Sequence, residues 1–295
     1  MTSVAVIAHA AKRLGGGLPE LRRVLAREGV DDPLWAEVPK SRFAPARVQE
    51  MLDRGADLVF VWGGDGTVQR CIDVLAESEA TMAVLPAGTA NLFATNLGIP
   101  KDLEAAVRIG LHGSRRMLDV GVVNGERFGV MAGTGFDARL IRDADSGVKG
   151  AMGRVAYLWT GAKNVRREPV GTKVDVDGHP WFRGDATCVL VGNVGKVFGG
   201  VSLFPDARPD DGRLHVGVVT ADGLWQWART LGRTVLGDPS ASPFVKTTRV
   251  RTIDVRLDHK VPYEMDGGER PKAKRLRIEV EPGAISVCVP EEATR

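Results

Sequence analysis

Cysteine is scarce in this chain: Cys71, Cys188 and Cys288 are the whole supply in 295 residues. They are odd in number and far apart, which excludes a CxxC metal site and a disulfide framework and fits a reducing compartment. Charge of one sign is lacking too, with 40 Lys and Arg against 37 Asp and Glu and a net +3. That balance leaves only a weak pull towards anionic surfaces, and nucleic acid is not expected as a partner, since its binders gather basic residues on one face or helix. No stretch approaches ~18 uninterrupted apolar residues, so no spanning helix is expected. The start MTSVAVIAHA lacks the basic opening and long apolar run of a signal peptide, which points to the cytoplasm. His112, His179, His215 and His259 lack ligand spacing and receive no metal role. There is no internal repeat and no low-complexity tail.

What is present is a composition, 43% apolar and 26% charged, that suits folded cores. Single cores stop growing near ~250–300 residues, so two domains are expected. The first half alternates strands and helices. Val4–Ala8, Leu58–Trp62 and Met82–Leu85 are short apolar runs that predict buried strands. Leu18, Leu21 and Leu25, then Val48, Met51 and Leu52, then Val68, Cys71, Ile72 and Leu75 repeat at helical spacing between them. A parallel sheet with crossover helices follows. Near residue 115 the texture changes. Met117–Val123 leads through Asn124-Gly125 into the apolar run Phe128–Met131, a hairpin signal. Strands are predicted at 174–176, 188–191, 214–219, 253–257, 276–280 and 285–289, separated by Asp177-Gly178, Asp211-Gly212 and Pro282-Gly283, giving a mainly antiparallel second domain. Helical inserts are predicted over 154–166 and 224–236. The domains divide as 1–122 and 123–295, with the last strand free to return to the first.

Two glycine loops carry chemistry. Gly63-Gly64-Asp65-Gly66-Thr67 sits between a strand end and a helix start, where backbone N–H groups and the positive end of the helix dipole favour phosphate. Thr67 can cap the helix or donate to a phosphate oxygen; Asp65 can order Mg²⁺-bound water or accept a hydroxyl proton. The spacing matches neither G-x-x-x-x-G-K-[ST] nor G-x-G-x-x-G. Pro86-Ala87-Gly88-Thr89-Ala90-Asn91 lies at the next strand end, and adjacent carboxyl ends of strands are where α/β sheets bind ligands.

Val61–Thr67 followed by Leu85–Ala94 resembles the diacylglycerol kinase catalytic-domain family, which includes soluble bacterial lipid kinases, sphingosine kinases and ceramide kinase. Asp119-Val120-Gly121, Gly133–Ala138, Gly199-Gly200, Pro205-Asp206-Ala207, Asp210-Asp211-Gly212 and Asp266-Gly267-Gly268-Glu269 fall in the family's order over nearly the whole chain. The resemblance implies a Rossmann-like α/β nucleotide domain and a β-sandwich second domain, with ATP and a lipid head group meeting between them. It implies transfer of the γ-phosphoryl group of ATP, with Mg²⁺, to a hydroxyl of diacylglycerol or a related membrane lipid. Gly63, Gly64, Gly66, Thr67, Gly88, Thr89 and Asn91 would line the nucleotide. Asp65 and Asp119 would order Mg²⁺ and phosphates, and Asp210 and Asp211 would hold a second, structural Mg²⁺.

Asp137 would meet the lipid hydroxyl or cap a helix. The general base would be Glu269, through a turn widened by the extra glycine, or Asp266, with Asp65 the third candidate. The chain departs from the family at Ala8-His9-Ala10, where Asn-Pro is common and His9 would substitute, and at Leu92, where many members carry Asp. Trp225 and Trp227 with Arg229 and Arg233 would form an amphipathic lipid-facing surface or pack on the second domain. The membrane contact implied is transient and peripheral, at the inner face; a homodimer stays open. NAD kinase shares the first loop and remains an alternative activity, as does an inactive lipid or nucleotide sensor.

Overall fold

The computed structural model describes residues 3–135, 169–197, 201–221 and 242–291. The chain splits into two compact units, Met1–Leu118 with Gly283–Arg295, and Asp119–Pro282. The expected helical inserts at 154–166 and 224–236 lie outside the described residues.

In the first unit, β1 (Val4–His9), β3 (Leu58–Gly63) and β4 (Thr81–Pro86) are the three predicted strands. The sheet adds β2 (Leu34–Val38), which the sequence reading did not anticipate. Its parallel order is β2-β1-β3-β4, extended by the end of β16 (Gly268–Val289), where Ser286 and Val287 pair with Thr81 and Met82. Ala5–Ala8 and Val59–Trp62 are fully buried, as strands of a parallel sheet covered on both faces must be. The crossovers are α1 (Leu18–Arg27), α2 (Ala44–Asp53), preceded by a single 3₁₀ turn η1 (Ser41–Phe43), and α3 (Asp65–Leu75). On α3, Val68, Cys71, Ile72 and Leu75 are all buried, the stripe that the spacing predicts. The helix expected from Leu92 is brief, α4 (Leu92–Asn96), and α5 (Leu103–His112) follows, capped by the Asp102 carboxylate on the Ala105 N–H. From β1 the chain steps to β2 on one side, then returns to β3 on the other. The carboxyl ends of β1 and β3 therefore flank a topological switch point, the ligand-binding position of open α/β sheets.

The second unit is an antiparallel β-sandwich. One layer runs β14 (Val245–Val250), β13 (Leu214–Val219), β10 (Cys188–Gly192), β7 (Met131–Thr134) and the second half of β15 (Thr252–Met265). The other joins β9 (His179–Ala186), β8 (Val170–Val176) and the first half of β15 with β16 and β5 (Ser114–Val123). Irregular pairing of β15 with β16 between Arg256 and Tyr263 lets β15 serve both layers. Val189, Val191, Val216 and Met265 from one layer meet Val174, Ile253, Val255, Leu276 and Ile278 from the other in a single core. Two-residue turns with positive φ at both centres, Asn124-Gly125 and Asp177-Gly178, close the hairpins β5 to β6 (Glu126–Phe128) and β8 to β9. A small ribbon of β11 (Lys196–Val197) and β12 (Val201–Ser202) completes the described elements.

Two expectations change here. The predicted strands at 276–280 and 285–289 are parts of the one long strand β16, with Pro282-Gly283 inside it rather than in a connection. Gly283 takes φ 57°, which glycine tolerates best. The apolar run Phe128–Met131 is two strands, because residues 129–131 turn their N–H groups to a carboxylate instead of a neighbouring strand.

Candidate active site

The two glycine loops of the first unit interlock. The Gly63 carbonyl accepts from the N–H groups of Ala87 (3.0 Å) and Gly88 (3.1 Å). A Cβ on Gly63 would lie 2.5 Å from Thr67 Cβ, so glycine alone fits beside that threonine. At Gly66, a Cβ would meet nothing within 4 Å: the loop is open there. Thr67 is buried, and its hydroxyl lies 2.9 Å from that of Ser41 on η1. Sequence reading missed Ser41, which sits 26 residues away with no motif of its own.

Asn91 shapes the second loop. It holds φ 49°, its Oδ1 accepts from the Gly88 N–H at 2.8 Å, and its Nδ2 donates to the carbonyls of Pro86 (3.2 Å) and Gly88 (2.9 Å). Both amide hydrogens are thus spent within the loop, whereas Thr89 is exposed.

Asp65 links the loops through its side chain. Its Oδ1 accepts from the Phe93 N–H at 3.0 Å, at the start of α4. Burial raises the pKa of this carboxyl, opposed by the N–H groups of Phe93, Leu92, Asn91 and its own residue. His9, at the end of β1, accepts from the Ala11 N–H at Nδ1 (3.3 Å). Burial first, then the charge of Lys12, lowers its pKa, favouring the neutral ring.

The remaining carboxylates belong to the second unit. Asp119 is buried; its Oδ2 accepts from the Gly212 N–H (2.6 Å) and its own N–H donates to the Pro209 carbonyl (2.6 Å). It therefore clasps the Asp210-Asp211-Gly212 turn through the Gly212 backbone, while Asp211 Oδ1 accepts from the Arg213 N–H at 3.0 Å. Among the described residues no three His, Cys, Asp or Glu side chains form a ready metal cluster.

Asp266 is buried and takes three backbone hydrogen bonds, from Gly129 (2.8 Å), Val130 (3.0 Å) and Met131 (2.9 Å). The expectation of a widened turn is corrected. Asp266 (φ 45°) and Gly267 (φ 76°) are the two central residues of a tight turn flanked by the pair Met265 and Gly268. The extra glycine is a strand residue, and Glu269 stands exposed on β16, directly across from Glu264. Asp137, Gly199-Gly200, Trp225 and Trp227 lie outside the described residues.

An α/β unit with glycine loops interlocked at the carboxyl ends of β3 and β4, followed by a β-sandwich, is the two-part build of a kinase class that similarity to known proteins identifies. Residues 15–123 match the diacylglycerol kinase catalytic domain family, and residues 130–289 match the YegS C-terminal NAD kinase beta sandwich-like domain. The chain belongs to this diacylglycerol kinase family of lipid kinases, in its YegS-like branch. It is 31% identical over 264 residues to a probable lipid kinase YegS-like of Enterobacter sp. (strain 638), covering 88% of this chain and 85% of that protein. A putative diacylglycerol kinase from Bacillus anthracis str. Sterne superposes with TM-score 0.78 at 26% identity, covering 97% of this chain and 96% of that one. An NAD kinase from Archaeoglobus fulgidus in complex with ATP shares the fold at TM-score 0.55 and 12% identity, covering 98% and 93%.

Proposed function

We propose that this protein is an ATP- and Mg²⁺-dependent kinase for a hydroxyl of diacylglycerol or a related membrane lipid. One observation carries the reading: the two glycine loops lock together at the carboxyl ends of β3 and β4 while leaving Gly66 open. Backbone there is free to approach a triphosphate at the N-terminus of α3. Gly63, Gly64, Gly66, Thr67 and Gly88 line the phosphates, with Thr89, His9 and Ser41 at the rim.

The donor set suits a cation that arrives with the nucleotide. Mg²⁺ keeps several waters and takes one or two carboxylates plus phosphate oxygens rather than an all-protein cage; Asp65 is the carboxylate offered in the first unit, and Asp119 is one offered in the second. Bound in that way, it would neutralise charge on the phosphates during transfer. Asp210 and Asp211 offer a second, structural position on the turn that Asp119 clasps.

The lipid hydroxyl attacks the γ-phosphorus, the bond to ADP breaks, and the hydroxyl proton passes to a carboxylate. Asp266 already accepts three N–H bonds and serves as an anchor; Glu269, exposed beyond the tight turn, is the base. No described helix is long and apolar enough to cross a membrane, and the enzyme meets its lipid peripherally, at the inner face.

The test is transfer of label from γ-labelled ATP, with and without Mg²⁺, to vesicles containing diacylglycerol, monoacylglycerol, phosphatidylglycerol or a sphingoid base, with NAD as a separate acceptor. A labelled lipid is expected. Folded protein that labels NAD alone, or nothing, would overturn the proposal.

A further inference from the structure

Asn193 follows β10 directly, is 1% exposed, and belongs to no motif that the sequence offers. Its side-chain Nδ2 donates to the carbonyl of Asp119 at 2.8 Å and to that of Gly129 at 3.1 Å, while its backbone N–H donates to the Val130 carbonyl at 2.9 Å. Two amide hydrogens facing two carbonyl oxygens fix which way the amide points. Its Oδ1, also buried, has no hydrogen-bond partner among the described residues. Buried polar atoms are nearly always paired, so an amide held with its oxygen unmatched is kept for what its nitrogen does.

The nitrogen joins two carboxylate elements of the second unit. On one side is Asp119, whose N–H is held by Pro209, whose carboxylate is held by the Gly212 N–H, and whose carbonyl is held by Asn193. On the other is the segment 129–131. Asn193 takes its carbonyls at Gly129 and Val130, and Asp266 takes its three N–H groups; the Asp266 N–H returns to the Met131 carbonyl at 2.9 Å. Asp266 opens the tight turn from which Glu269 emerges three residues later. Aspartate at 193 would have the shape but neither hydrogen, leucine would fill the space and leave both carbonyls bare, and the asparagine amide supplies two donors from one atom without a charge.

We infer that Asn193 is a positioning residue, which holds the Asp119 strand in register with segment 129–131 and thereby fixes the turn that aims Glu269. The roles of Asp119 and Glu269 come from the function proposed above; the linkage itself rests on the hydrogen bonds alone.

Asn193→Ala, with Asn193→Ser as the milder second variant, tests it in the full-length protein. The expected result is a kcat lowered about 10–100-fold, the scale of a small misplacement at a reacting centre, with the KM for ATP within about twofold of wild type. In the Glu269→Gln background the same change should cost less than about threefold, because the group it aims is already disabled. Full, additive loss in that background, or near-normal kcat in both single variants, overturns the inference. Amide hydrogen exchange gives a readout independent of turnover: Gly129, Val130, Met131 and Gly212 should lose protection selectively in both variants. If wild-type protein labels no lipid, the proposed function falls and exchange alone decides, with unchanged protection at those four amides overturning the linkage.

Discussion

Gly64 and Gly88 touch backbone to backbone: a Cβ on Gly88 would lie 2.4 Å from Gly64 Cα and 2.6 Å from Asn91 Oδ1. Gly64 Cα is backbone and the Asn91 amide is fixed by three hydrogen bonds, so a rotamer change cannot relieve the clash without breaking them. Gly88→Ala is expected to push the loops apart, costing about 1–3 kcal/mol as overpacked sites do. Both Tm and ATP affinity should fall. Thermal melts with and without ATP measure it, and an unchanged Tm would mean that the loops separate more easily than this contact implies.

Gly66 is the opposite case, with no atom within 4 Å of its would-be Cβ. Gly66→Asp places a carboxylate in the first turn of α3, where negative charge favours the helix, so Tm should hold or rise slightly. ATP binding should collapse, since the same carboxylate stands where phosphates are proposed to lie. Calorimetric titration decides; retained ATP affinity would leave the loop a structural turn only.

Asp65 yields a pH-dependent prediction. Burial raises its folded pKa, so the folded state favours the protonated form, and that contribution is present in full below the unfolded value of about 3.9 and lost as pH rises through the folded pKa. At neutral pH the charged form therefore costs stability. Asparagine mimics the neutral acid and retains an oxygen for the Phe93 N–H. Asp65→Asn should melt above wild type at pH 7.5, the gap closing as pH falls through the raised folded pKa and gone below about 4, while Mg²⁺-dependent turnover is lost. A lower Tm at pH 7.5 would show that the carboxylate charge supports the start of α4 more than burial penalises it.

Much of this architecture could be read from local chemistry. Asn124-Gly125 and Asp177-Gly178 sit in tight hairpin turns because Asn, Asp and Gly accept the positive φ that such turns demand. The stripe on α3 and the fully apolar runs of β1 and β3 needed only periodicity. β2 escaped because five residues between Pro33 and Pro39, with Trp35 partly exposed and Glu37 exposed at the sheet edge, show no clean alternation in sequence. The break in Phe128–Met131 is imposed by Asp266, more than 130 residues away. The site divides in the same way. Loops with glycines at fixed offsets were legible, whereas Ser41 and Asn193 act through partners 26, 64 and 74 residues distant and have no local signature.

Asp266 and Glu269, three residues apart, should separate cleanly by mutation. Asp266 places one carboxylate over three successive N–H groups. In Asp266→Asn one of the two oxygens becomes an NH₂ facing a donor, so at least one charge-assisted bond is lost and a buried donor is left unmatched. Hydrogen bonds to charged groups contribute roughly 1.5–3 kcal/mol each, so a drop in Tm of many degrees is expected. Glu269 is exposed on β16, where interactions of a charged side chain contribute little to stability. Glu269→Gln should leave Tm and ATP affinity near wild type and lower kcat by roughly 10²–10⁴-fold, the usual scale for loss of a general base. Melting curves and steady-state kinetics on the two variants test both roles together. Near-normal turnover in Glu269→Gln, beside a stable but inactive Asp266→Asn, would move the base to Asp266 and require its three N–H bonds to rearrange before each transfer.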